Sequence, residues 1–197
     1  MADEIEKTGE LPKGDEEEII TEEDTCSTED IEESVKAFLL GDITLAQLEG
    51  YTAEDMYSIA DLGYDLLEEG QLEEAQKIFE GLSVYNPFDP YFRGMLGTVY
   101  QRQGKLDDAM HQYECAVDLN PEDTTSWANA GEVMLERSVQ LQEEGKKDVS
   151  ENMFREAIGA LKRAIELDPE GEDPSSLRAR ALIGVTAGVI EKTQKAS

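Results

Sequence analysis

The chain has 197 residues, 39% of them hydrophobic, and a formal net charge of -29. That length suits one domain with a tail. The charge argues against gripping a phosphate backbone or an anionic membrane, both of which call for Lys and Arg, and favours solubility and a basic or insoluble partner.

No run approaches 18 apolar residues, so no membrane-spanning helix is expected. Met1-Ala2-Asp3-Glu4 lacks the basic flank and apolar stretch of a secretory signal. Cys26 and Cys115 lie in unlike contexts, which argues against a structural disulfide and suits a reducing cytoplasm.

Residues 1–26 form an acidic segment with the like-charge clusters Asp15-Glu16-Glu17-Glu18 and Glu22-Glu23-Asp24. It has too little apolar surface to offset ordering entropy, so a disordered tail is expected. Residues 27–50 read as an amphipathic helix and linker. Ser27 or Thr28 serves as a cap, and Ile31, Val35, Phe38 and Leu39 make one apolar stripe. Gly41 ends the helix, and Ile43, Leu45 and Leu48 continue an apolar linker to Gly50. A helix this short is not stable alone and needs a packing partner.

Residues 51–197 carry a repeat. Leu62-Gly63, Leu66, Ala75, Phe79 and Pro87 are answered, 34 positions on, by Leu96-Gly97, Tyr100, Ala109, Tyr113 and Pro121. Trp127, Ala130-Gly131 and Met134 begin a third copy. With the glycine at the eighth position, copies start at Met56, Pro90 and Thr124, each with two helices. Gly70 and Gly104 mark the inner turns, Asn86-Pro87 and Asn120-Pro121 close the copies, and Pro90 follows the cap Asp89. This is the 34-residue tetratricopeptide pattern, and it predicts an all-α solenoid of stacked helix pairs. The glycines allow helices to approach closely, Ala75 and Ala109 face them, and Phe79 and Tyr113 fill the space between repeats.

Unaltered spacing puts the next alanine at position 143; it stands at 157, so the third copy is longer by 14 residues. Lengthened helices around a turn near Gly145 are expected, with the insertion near 137–150 outside the packed core. Met153, Phe154, Ala157, Ile158, Leu161 and Ile165 give the second helix its apolar face. A last helix, from about 175 to 192, carries Leu177, Ala181, Leu182, Val185 and Val189 as its stripe and caps the array, with Arg178 and Arg180 elsewhere on it.

Nothing points to catalysis. His111 is the sole histidine, no nucleophile has a base, and Asp168-Pro169-Glu170-Gly171-Glu172-Asp173 lacks the order of a calcium loop. No cofactor or metal is expected. The first helices of such a stack line a concave side. Its inward positions place Tyr57, Ala60, Tyr64 and Leu67, then Tyr91, Gly94, Thr98 and Gln101, then Ala128 in a groove suited to an extended peptide. The Lys, Asn and Arg clamp by which some repeat proteins hold acidic chaperone tails falls here on Ala60, Tyr64, Met95, Thr125 and Asn129; only the asparagine fits. An acidic ligand would also meet repulsion.

The stretch Ile43-Thr44-Leu45-Ala46-Gln47-Leu48, then Leu62-Gly63-Tyr64, Gly70-Gln71-Leu72-Glu73-Glu74-Ala75 and Pro87-Phe88-Asp89-Pro90-Tyr91-Phe92 resembles the class II, or translocator, chaperones of bacterial type III secretion. The resemblance covers about residues 31–135. It implies an all-helical bacterial cytoplasmic chaperone that holds a hydrophobic translocator, by its chaperone-binding segment, in the groove before export. It also implies a homodimer through the N-terminal helix, at Ile31, Val35, Phe38 and Leu39. The acidic tail, the lengthened third repeat and the last helix depart from that family. The alternative is a general tetratricopeptide scaffold joining proteins in an assembly.

Overall fold

The computed structural model describes residues 28–196, and their side chains over 30–187. The acidic segment 1–26, with Cys26, and the side chains of Val189 and Lys192 lie outside the described residues. Helix α1 (Thr28–Leu40) ends at Gly41, whose φ of +81° is one that side-chain-bearing residues rarely adopt. A single-turn α2 (Leu45–Leu48) follows, closed by a capping box between Thr44 and Gln47. Three helix pairs come next: α3 (Ala53–Glu68) with α4 (Leu72–Tyr85), α5 (Pro90–Arg102) with α6 (Leu106–Leu119), and α7 (Thr124–Glu143) with α8 (Lys147–Leu167). Helix α9 (Pro174–Ala196) lies against α7 and α8. The described residues contain no strand.

Local chemistry sets the helix ends. Thr52 and Asp55 form a reciprocal capping box at α3. Asp89 and Asp123 accept from backbone N–H groups of the first turns of α5 and α7, and Pro90 starts α5 where its missing N–H costs nothing. Long side chains satisfy carbonyls at helix ends. Arg102 donates to Leu67 O at 2.9 Å, and Arg180 donates to Asp168 O and Pro169 O at 2.9 and 2.8 Å.

The core is layered, as a stack of repeats requires. Met56, Ala60, Leu67, Ala75, Phe79, Phe92, Leu96 and Val99 bury together through the first repeat into the second. Leu106, Ala109, Tyr113, Ala130 and Val133 form the next layer. Ala128, Leu161, Ala164 and Ala179 form the last. The helices in each pair meet at the eighth-position glycine. A Cβ on Gly63 would come within 2.8 Å of Ile78, on Gly97 within 2.9 Å of the Tyr113 ring, and on Gly131 within 2.6 Å of Leu161 and 3.0 Å of Ala157 O.

Two expectations need correction. The insertion lengthens α7 and α8 to 20 and 21 residues around Gly145, as predicted, but part of it is packed. Leu141, Ser138 and Ser150 are buried, and the Ser150 hydroxyl donates to Ser138 O at 2.7 Å. The pair extends its own seam because two antiparallel helices of similar length keep facing each other. The stripe assigned to α9 is also displaced. Leu177 and Val185 are 52% and 66% exposed, while Ser176 and Ala179 are buried and Leu182 and Ile183 half-buried. Small side chains at 176 and 179 let α9 sit close on α7 and α8, and that contact outweighs the more apolar stripe one step round the helix.

Substituting Gly131→Ala should lower stability by about 1–3 kcal/mol, because the new methyl meets backbone and a branched side chain. Gly159→Ala, on α8 with nothing within 4 Å of its added methyl, should instead raise stability by about 0.5–1 kcal/mol. Urea unfolding midpoints of the two variants check this.

Burial pushes the Tyr113 phenol up to about 12. A raised folded-state value means the folded protein holds its proton more tightly, so stability should be full below pH 10 and decline as pH rises from about 10 towards 12. Tyr113→Phe should flatten that decline by about 2–3 kcal/mol in alkaline denaturation curves.

Candidate functional site

The concave side of the first two repeats is built by α3 and α5. Tyr57, Tyr64 and Tyr91 stand there 44%, 46% and 39% exposed. The Tyr57 and Tyr91 rings are 5.7 Å apart, and the buried Phe92 lies 5.5 Å from Tyr57 and 6.0 Å from Tyr91, so one core aromatic supports two surface ones. The Tyr57 hydroxyl donates to Asp89 Oδ2 at 2.9 Å, while Asp89 Oδ1 accepts from the Tyr91 backbone N–H. The cap of α5 therefore also orients a groove tyrosine. Burial, then the Asp89 bond, raises the Tyr57 phenol above its usual value; burial, then Asp61, Tyr64 and Asp89, does so for Tyr91. Both rings stay neutral and present a hydroxyl on an apolar body.

Other predicted groove residues have different surroundings. Ala60, Leu67 and Ala128 are 0%, 1% and 1% exposed and belong to the core, so a ligand in the groove does not reach them. Concave positions point inward towards the groove axis, but stacking of the next pair covers the smaller ones. Thr98 and Gln101 are half-buried and engage Tyr113, whose hydroxyl lies 3.1 Å from Thr98 Oγ1 and donates to Gln101 Oε1 at 3.1 Å. Gly94 is half-buried with open space where a Cβ would stand, leaving a shallow place beside Tyr91.

Helix α9 covers the share of the groove that repeat three would supply. Ser175 bonds Thr125 side chain to side chain at 3.0 Å. Arg178 pairs with Glu132 at 3.2 Å and donates to Asn129, and Ala179 buries against Ala128. At the opposite end the groove opens into a cavity of about 290 Å³ lined by Ala46, Met56, Tyr57, Phe88, Asp89 and Phe92, among others. Phe88, at the loop between α4 and α5, is 62% exposed at its edge. The sequence reading missed Phe88; its place beside the closing proline of the repeat is the signal that would have found it.

Along α1 the apolar stripe is uncovered: Ile31, Val35 and Leu39 are 49%, 40% and 77% exposed, and Phe38 is half-buried. Among the described residues α1 packs against the short α2. Cys115 is a free thiol with His111 Nε2 4.0 Å away. No group of three potential metal ligands occurs among the described residues, and no helix among them is long and apolar enough to cross a membrane.

The tetratricopeptide repeat family matches residues 60–124 and 95–138. Low calcium response locus protein H of Yersinia pestis is 25% identical over 59% of this chain and 69% of its own length. Photosystem I assembly protein Ycf3 of a Synechococcus strain is 27% identical over 60% of this chain and 70% of its own. Among solved structures, a type III secretion system complex from Aeromonas hydrophila superposes with a TM-score of 0.62 at 21% identity, covering 84% of this chain and 99% of the other. The Yersinia enterocolitica type III secretion chaperone SycD, in complex with a peptide of the translocator YopD, gives 0.56 at 21% identity over 73% and 97%. The helix pairs and their order agree with these solved structures in fold, and the stretch 60–138 is similar to tetratricopeptide repeats.

Proposed function

We propose that this chain is a chaperone that holds a hydrophobic type III secretion translocator in the bacterial cytoplasm before export. The observation that carries the reading is the open aromatic groove of Tyr57, Tyr64 and Tyr91 on a fold shared with a chaperone solved with a translocator peptide. An extended client segment lies along α3 and α5. Its apolar side chains pack on the tyrosines and in the cavity beside Phe88 and Phe92. Tyrosine suits this work, since it brings rigid contact area with few torsions to freeze. The action is mass action: covering apolar segments lowers the free, aggregation-prone concentration of the client. No step consumes ATP, and no residue is assigned a catalytic role.

The uncovered stripe of α1 supports a homodimer formed through Ile31, Val35, Phe38 and Leu39. Leu39→Glu places a charge in that contact. The variant should sediment as a monomer at concentrations where the parent chain is a dimer, with unchanged helical circular dichroism.

Co-expression with translocators from the same genome tests the main reading. The client should stay soluble and copurify. Tyr64→Glu with Tyr91→Glu should weaken copurification at least about tenfold, with helical content kept because both side chains stand on the surface. A client that stays insoluble and unbound beside the parent chain defeats the reading. Binding of folded partners without rescue of solubility would favour the general scaffold.

A further inference from the structure

The aromatic part of the groove is also acidic. Helix α3 carries Glu54, Asp55, Asp61, Asp65 and Glu68 and neither lysine nor arginine. Tyr57, Asp61 and Tyr64 stand at i, i+4 and i+7 on α3 and so share one face, and the Tyr57 ring lies 5.7 Å from that of Tyr91. Among the described residues Asp61 makes no hydrogen bond or ion pair, and Asp89 spends both oxygens on neutral donors, Tyr57 and the Tyr91 N–H. The nearby arginines are committed elsewhere. Arg102 pairs with Glu68 at 2.6 Å, and Arg93 donates to Gln112 on α6. Asp61 thus stands without a partner among the exposed phenol rings, next to the negative charge of the hydrogen-bonded cap Asp89.

We propose that this end of the groove receives a lysine or arginine side chain of the bound polypeptide, next in its sequence to an apolar residue. This deepens the reading of the groove as a client site and rests on it. A cation over the face of Tyr64, one helix turn from Asp61, meets the negative side of the ring's quadrupole. Asp61 and Asp89 supply the countercharge, more strongly than in open water because the rings displace solvent. The flanking apolar side chain enters the cavity that Tyr57 and Asp89 line together with Met56, Phe88 and Phe92. The commitment to a cationic occupant comes from charge complementarity. An acidic segment would meet Asp61, Asp65 and Asp89 with no basic residue free to receive it. A purely apolar one would leave Asp61 desolvated and unpaired.

Selection of short random peptides displayed on phage, against the immobilised full chain at physiological ionic strength, tests this. The expected result is enrichment of Lys or Arg at one fixed position beside an apolar residue, lost when selection is repeated on Asp61→Asn and on Tyr64→Leu. In the parent chain, replacing that arginine by citrulline in the selected peptide should weaken binding about fivefold. Both substituted residues are exposed, and circular dichroism checks that the variants keep their helices. Enrichment of peptides with no basic position, still dependent on Tyr64, overturns the inference and leaves the chaperone groove standing. Basic enrichment that persists in Asp61→Asn overturns it too, since bulk acidity then explains the preference. Selected peptides indifferent to every groove residue overturn both this inference and the groove itself.

Discussion

The close approach of paired helices at Gly63, Gly97 and Gly131 is the contact on which the rest of the solenoid depends. At each site a side chain from the second helix, Phe79, Tyr113 or Leu161, stands where a Cβ would have to go. The glycine gives up some helix propensity, roughly 1 kcal/mol against alanine. In return a large side chain lies flat against backbone and is completely shielded from water. That repeated contact sets the spacing of the pairs, and the spacing sets the curvature that makes one side concave. The same contact brings the Tyr113 hydroxyl past Gly97 to Thr98 and Gln101, so a core residue takes up polar groups of the groove wall.

The groove is open at one end and closed at the other, for reasons found in the last two helices. Arg178 and Ser175 bind α9 to Glu132 and Thr125, and Ala128 is buried beneath Ala179. What remains accessible is the α3 and α5 surface, where neutral phenols and the unpaired Asp61 stand together. Exposed ion pairs such as Lys147 with Glu151 and Arg163 with Glu166 add little stability individually. With so much negative charge in the chain, each basic residue drawn into a structural pair is one fewer to neutralise the groove.

Much of this architecture is legible in the residues themselves. Helix ends follow from Thr52, Asp89-Pro90, Asp123 and Gly145, whose chemistry is local and acts within one turn. The 34-residue offset identifies which residues face the partner helix, because a repeated environment demands a repeated side chain. The length of the third copy indicates longer helices, but its packing does not follow from spacing, since Ser138 and Ser150 look like surface residues until they are placed opposite each other. The stripe of α9 misleads for the same reason. Periodicity ranks faces by apolarity, whereas docking ranks them by how closely backbones approach.

Sequence alone therefore determined the fold class, the order of the paired helices and the aromatic character of the concave face, all of which rest on short-range chemistry or on exact repetition, while the short α2 stands where an apolar linker was expected. Tertiary structure alone decided which concave residues a ligand can touch. Tyr57, Tyr64 and Tyr91 remain exposed, whereas Ala60, Leu67 and Ala128 disappear into the stack. Accessibility depends on what a neighbouring pair or the closing helix covers, and a residue's position in its own repeat carries no information about that.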